Sequence, residues 1–179
     1  MKTTLRKFAS NYLLLFGVAG VVLALDQWTK ALVRSTLDYG EYWSPWEWLT
    51  PLARIVHWRN TGAAFGMGQN LGLLFTMLAI VVSILIIVYY PQIPRQAWPL
   101  RIALAMQMGG ALGNLLDRLT LGHVTDFISV GRFPVFNVAD ASISVGAAVL
   151  FIGMWLEERR SKTPPAEEEP ASISEAGNA

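Results

Sequence analysis

Four stretches of the chain run without a charged side chain, at positions 8–25, 61–94, 102–116 and 141–156. The first, Phe8 to Leu25, reaches the ~18 apolar residues that a membrane-spanning helix requires. The second holds a dense apolar segment from Leu71 to Tyr90, closed by Pro91 and Pro94, which interrupt a helix. The third and fourth are short. They reach spanning length if the third helix runs on through Asp117 and Arg118, and if the fourth begins near Val138 with Asp140 in its first turn. The pattern predicts an all-α membrane protein with four transmembrane helices.

The segment of about 34–69 is too long and too mixed for a simple connection, and is expected to form a small external β-containing subdomain between helices 1 and 2. Leu52 to Arg59, with Ile55, Val56 and Trp58, reads as a strand or two, and Asn60-Thr61-Gly62 as a turn. Tyr39, Tyr42, Trp43, Trp46 and Trp48 have the composition of an interfacial aromatic belt or, equally, of a packed subdomain core. The membrane domain is assigned to 1–160. Residues 161–179, rich in Pro, Glu, Ala and Ser, are assigned to a disordered cytoplasmic tail.

Basic residues orient the bundle. Lys2, Arg6 and Lys7 precede helix 1, Arg95 and Arg101 flank the turn between helices 2 and 3, and Arg159, Arg160 and Lys162 follow helix 4, which puts both termini in the cytoplasm. A cleavable signal peptide is the competing reading of the N-terminus. No A-x-A site follows the apolar run, which instead meets Asp26 and Lys30.

Composition agrees with the membrane assignment: 53% of residues are hydrophobic and 15% charged, against the ~25% charged typical of soluble domains. The mean hydropathy is +0.39. With no Cys, thiol nucleophiles, disulfides and Cys-ligated metals are excluded, and the two histidines, His57 and His123, lie in no metal-ligand spacing. A net charge of +1 argues against nucleic acid as a partner. No metal or cofactor is called for, and the chain is read as a monomer among membrane lipids.

Of 13 Asp and Glu, six lie beyond Leu156. The others are Asp26, Asp38, Glu41, Glu47, Asp117, Asp126 and Asp140, and an acid near a span needs a reason to be there. With alternating helix directions, the end of helix 1, the start of helix 2, the end of helix 3 and the start of helix 4 share the external face. On it fall Asp26-Gln27-Trp28-Thr29-Lys30, Asn60-Thr61-Gly62-Ala63-Ala64-Phe65-Gly66, Gly113-Asn114-Leu115-Leu116-Asp117-Arg118, Val124-Thr125-Asp126-Phe127-Ile128 and Phe136-Asn137-Val138-Ala139-Asp140.

Several of these residues have structural explanations. Asp26 and Lys30 are placed for a helical i,i+4 ion pair. Asn114 and Arg118 share a helix face and can satisfy loop carbonyls, and Asp117 can fix a basic neighbour or a backbone amide. Gly109, Gly110 and Gly113 permit close helix packing. Thr125, Ser129, Ser142 and Ser144 lack an activating base in sequence. Asp126 and Asp140 have apolar sequence neighbours and no adjacent cation, and the hairpin of helices 3 and 4 brings them to one depth, where two carboxylates share one proton. Such a pair can activate water as base while donating a proton as acid. The competing explanation is two unrelated helix caps.

Taken in order, the motifs Asp26-Gln27-x-Thr29-Lys30, Asn60-Thr61-Gly62-Ala63-Ala64-Phe65, Gly113-Asn114-x-x-Asp117-Arg118, Val124-x-Asp126-Phe127 and Phe136-Asn137-x-Ala139-Asp140 resemble those of the lipoprotein signal peptidases, the type II bacterial signal peptidases. The resemblance covers the chain from helix 1 through helix 4 and omits the tail. It implies an aspartic endopeptidase of the bacterial inner membrane that removes the signal peptide from prolipoproteins before a diacylglyceryl-modified cysteine. It further implies that Asp126 and Asp140 form the catalytic dyad, that Asn60, Asn114, Arg118 and Asn137 line the site, and that Asp26, Lys30 and Asp117 support it.

Two other readings compete with it. A small proton- or ion-translocating bundle would carry polar residues at several depths on both sides of the midplane. A non-enzymatic assembly subunit would account for the glycines and tryptophans but not for the acids.

Overall fold

The structure is a computed structural model and describes residues 2–62 and 71–162. The Ala63-Ala64-Phe65-Gly66 half of one motif and the tail from residue 163 lie outside the described residues. Four long helices make up most of the chain: α1 (Lys2–Thr36), α2 (Gly72–Tyr89), α3 (Trp98–Leu121) and α4 (Val138–Lys162). α4 runs two residues into the segment expected to be tail.

Each boundary has a local cause. α2 gives way to a 3-10 turn over Tyr90–Gln92 at Pro91. α3 takes Pro99 into its first turn, where a missing N–H costs nothing. It ends at Gly122, whose φ of +75° is the left-handed cap that glycine adopts freely, with its amide donating to the Arg118 carbonyl.

Among the described residues, three helical segments are long and apolar enough to cross a membrane, over Tyr12–Thr36, Gly72–Gln92 and Val138–Leu156. Their apolar side chains point outward, Phe151 at 74% and Leu73 at 71% exposure, as lipid-facing residues do. α3, the fourth expected span, is the polar one. It carries Arg101, Gln107, Asn114, Asp117 and Arg118, and it packs against each of the other three helices. Its small residues allow this: a Cβ on Gly109 would lie 2.7 Å from the Ala19 carbonyl oxygen of α1, and one on Gly110 2.5 Å from the Ala139 carbonyl oxygen of α4. Leu15, Ala19, Ile86, Tyr90, Ala105 and Met108 form the apolar core between α1, α2 and α3.

The β structure is larger than the sequence suggested. Strand β2 (Ala53–Asn60) pairs antiparallel with the short β1 (Tyr42–Trp43) on one side and with β3 (Val124–Val130) on the other. β3 comes from the connection between α3 and α4, so the subdomain is built from two chain segments and not solely from the one between α1 and α2. The register sets Trp58 opposite Asp126 and Asn60 opposite Val124, with an irregularity between Ile55 and Trp58. Trp43, Trp46 and Trp48 are all more than half exposed, and Trp46 stacks on Trp48. The packed-core reading of these tryptophans is therefore corrected: they lie exposed on the protein surface, as an interfacial belt would need them.

Candidate active site

The sheet and the helix ends meet at the end of the bundle formed by the C-terminal parts of α1 and α3 and the start of α4. Asp126, from the middle of β3, is buried at 1% exposure. Its Oδ1 accepts from Asn137 Nδ2 at 2.7 Å and its Oδ2 from Asn60 Nδ2 at 2.8 Å. Asn60 reaches it as the diagonal neighbour across the β2–β3 pair.

Asp140 arrives by a different device. Asn137 caps α4, its Oδ1 accepting from the Asp140 amide at 3.0 Å, while Asp140 Oδ2 accepts from the Asn137 amide at 3.2 Å. This reciprocal pair is a capping box with Asp at its third position. It fixes the carboxylate on the first turn of the helix. The other oxygen, Oδ1, accepts from Asn114 Nδ2 at 2.7 Å. One asparagine, Asn137, thus binds both acids, and it is fully buried. Burial, followed by the charge on Asp140, pushes the Asp126 carboxyl up to about 7, against the donors Asn60 and Asn137.

Beneath this layer lies an ion network. Lys30 Nζ, fully buried, is 2.8 Å from Asp26 Oδ2 and 3.4 Å from Asp117 Oδ2, and donates to Asn114 Oδ1 at 2.9 Å. Asn137 Nδ2 donates to the same Asn114 oxygen at 3.2 Å. With two donors on its oxygen, Asn114 turns its amide nitrogen to Asp140. Asp26 Oδ1 also accepts from the Ala139 amide at 3.0 Å, tying α1 to the first turn of α4. Asp117 Oδ2 accepts from the Thr125 amide at 2.9 Å, holding the start of β3. The expected Asp26–Lys30 pair is therefore present, and Asp117 takes both a basic partner and a backbone amide.

Arg118 is half-buried, with its guanidinium 5.5 Å from the centre of the Phe75 ring and a long 3.5 Å contact to the Asn114 carbonyl. It lines a cavity of about 630 Å³ with Asn60, Asn114 and Asp140 at the polar end. Leu78, Val82 and Val145 are among the apolar residues that continue it between α2, α3 and α4.

All nine residues singled out in sequence come together here. Three others belong with them. Arg34 Nη1 donates to Thr125 Oγ1 at 3.0 Å and lies 3.7 Å from Asp117 Oδ1. Gln27 Nε2 donates to Asp26, Asp117 and the Gly113 carbonyl. The signal for Arg34 was in the sequence: Asp26, Lys30 and Arg34 form one i,i+4 row on α1. Among the described residues no group of three or more His, Asp and Glu is disposed to hold a metal ion.

Comparison with known proteins places the chain in a family. The profile of the signal peptidase (SPase) II family matches residues 18–156. A lipoprotein signal peptidase of Acinetobacter baumannii is 37% identical over 177 residues, covering 92% of this chain and 97% of its own. One from Anoxybacillus flavithermus is 38% identical over 158 residues, covering 84% and 90%. Among solved structures, a bacterial membrane enzyme determined by the in meso method at 2.3 Å resolution superposes with a TM-score of 0.75 at 28% identity, over 87% of this chain and 93% of that one.

Proposed function

Because the chain belongs to the signal peptidase II family, we propose that it cleaves the signal peptide from prolipoproteins as an aspartic endopeptidase, cutting just before a diacylglyceryl-modified cysteine with Asp126 and Asp140 as its catalytic pair. The observation that carries the aspartic assignment is the single side chain of Asn137 holding both carboxylates, one by its amide nitrogen and one through the α4 cap. Near neutrality the pair carries one proton. The ionised carboxylate removes a proton from a water held between the two, and the water attacks the scissile carbonyl carbon. The protonated carboxyl donates to the carbonyl oxygen as charge develops there. The amide nitrogen then takes a proton from the pair as the C–N bond breaks, releasing the signal peptide and the new N-terminus.

Arg118 and the asparagines orient the peptide backbone beside the acids, and the lipid on the substrate cysteine keeps the bond at the bilayer surface. Asp26, Lys30 and Asp117 hold Asn114, β3 and α4 in register without touching substrate. The basic residues at the chain ends support a topology with both termini in the cytoplasm and the site near the outer face of the inner membrane.

The test is cleavage of a lipidated precursor in detergent. Asp126→Asn and Asp140→Asn are each expected to abolish turnover while the thermal unfolding transition persists. Near-normal turnover in either variant removes that residue from the mechanism.

A further inference from the structure

The cavity that opens beside Asp140 is apolar along most of its length, and two polar side chains in its wall stand outside the hydrogen-bond network around the acids: Ser144 on α4, exposed, and Gln107 on α3, partly exposed. Ser144 lies one turn below Asp140 on the same helix. Gln107 is seven residues before Asn114 on α3, which puts it ~10 Å deeper along the helix. Its neighbours in the wall include Val82, Ala111, Ile143 and Val145.

Gln107 is partly exposed in an otherwise apolar wall, and a polar residue that faces a cavity inside a spanning region marks a candidate contact for what occupies it. The side chain is also held in place. Gly146 of α4 leaves bare backbone under it, and a Cβ there would come within 2.8 Å of Gln107 Cγ. Gln107 thus lines the cavity with its stem packed on Gly146.

The occupant follows from the proposed activity. A signal peptide enters with its N-terminal side toward the cytoplasm, so the residues before the scissile bond run from the acids down this cavity. To reach the acids, that segment has to leave helical conformation, and its carbonyl and N–H groups then lose their internal partners in an apolar surround. Extended chain covers ~3.3 Å per residue, so Gln107 falls beside the third residue upstream of the bond.

We infer that Gln107 hydrogen-bonds the backbone of the signal peptide about three residues before the scissile bond and so holds that segment extended in the cavity. The inference rests on the proposed peptidase reading. It makes Gln107 a reader of main chain, indifferent to the side chain at that position.

The experiment compares wild type with Gln107→Met, which keeps the unbranched stem over Gly146. The substrates are a lipidated precursor peptide and a set in which each of the four amide linkages upstream of the scissile bond is replaced in turn by an ester. Gln107→Leu and thermal unfolding serve as a second variant and a folding control.

Loss of one neutral hydrogen bond predicts a KM raised ~3–10-fold with kcat little changed. The ester at the third linkage, or one adjacent to it, should weaken the wild type by a similar factor and have little effect on Gln107→Met. Unchanged kinetics in both variants, or ester penalties equal in wild type and variant at every linkage, overturn the inference. Wild-type cleavage of the all-amide precursor reads out the proposed activity separately: with cleavage intact, absence of coupling sinks the Gln107 assignment alone. Absence of wild-type cleavage sinks both.

Discussion

Replacing Lys30 with Met tests whether the buried ion network is held by charge or by packing. The substitution keeps roughly the same volume in a site of zero exposure but withdraws the cation from Asp26 at 2.8 Å, Asp117 at 3.4 Å and Asn114 Oδ1 at 2.9 Å. Asp26 is left with Gln27 and the Ala139 amide, and Asp117 with Gln27, the Thr125 amide and the more distant Arg34. Removing one partner of a buried pair costs ~3–5 kcal/mol, because the remaining carboxylates keep only neutral donors and the more distant Arg34 against their charge. For a chain of this size each kcal/mol moves Tm by ~2–4 °C, so the melting point should fall by roughly 6–20 °C.

The assay is thermal unfolding in detergent, followed by the intrinsic fluorescence of the seven tryptophans. Adding Asp26→Asn to the variant neutralises the orphaned carboxylate and should restore part of the loss. A Lys30→Met protein that melts within ~2 °C of the parent, or a double variant no better than the single one, refutes the electrostatic account. Cleavage should also slow, since Asn114 loses one of the two donors that turn its nitrogen to Asp140.

Three further outcomes follow from the site and from the packing of α3 on α4. If the proposed pair acts through the proton that burial holds on Asp126, kcat/KM is expected to fall as pH rises through about 7. Asn60→Ala removes a donor that favours the anion, raises that pKa and moves the alkaline limb of the pH profile to higher pH; a limb that stays or moves down contradicts the assignment. Gly110→Ala drives a Cβ to 2.5 Å from the Ala139 carbonyl oxygen and 2.9 Å from Ile143 Cγ1. It should cost ~1–3 kcal/mol by prising α4 from α3, visible as a lower melting point. Gly17→Ala, with nothing within 4 Å of the added carbon, is the control and should melt no lower than the parent.

The first two helices were legible because the bilayer imposes a simple rule on them: charge-free stretches of sufficient length admit few alternatives. The third and fourth, whose charge-free runs are short, were legible only by carrying the helix through Asp117 and Arg118 and by starting it near Asp140. Asp26 and Lys30 were legible as a pair because helical spacing alone brings them together. β3 was not read as a strand, although Val124, Thr125, Phe127, Ile128 and Val130 are residues that strands favour. Its burial and register depend on β2, some 65 positions earlier, and no local pattern states that pairing. The same holds for Asn137. Its place before Asp140 suggests a cap, but its second bond, to Asp126, exists only once β3 is docked. The aromatic cluster at 39–48 was ambiguous because exposed and packed tryptophans share one composition; their exposure in the folded chain decides the matter.

The bond from Asp26 Oδ1 to the Ala139 amide joins positions 113 apart in the chain. During synthesis the first helix enters the bilayer long before its acceptor finds this donor. Until α4 inserts, Asp140 has neither its cap geometry nor its neighbour across the hairpin, and a nascent chain stalled after three helices lacks that half of the proposed pair. Under the proposed mechanism, proteolytic competence therefore arrives with the last helix.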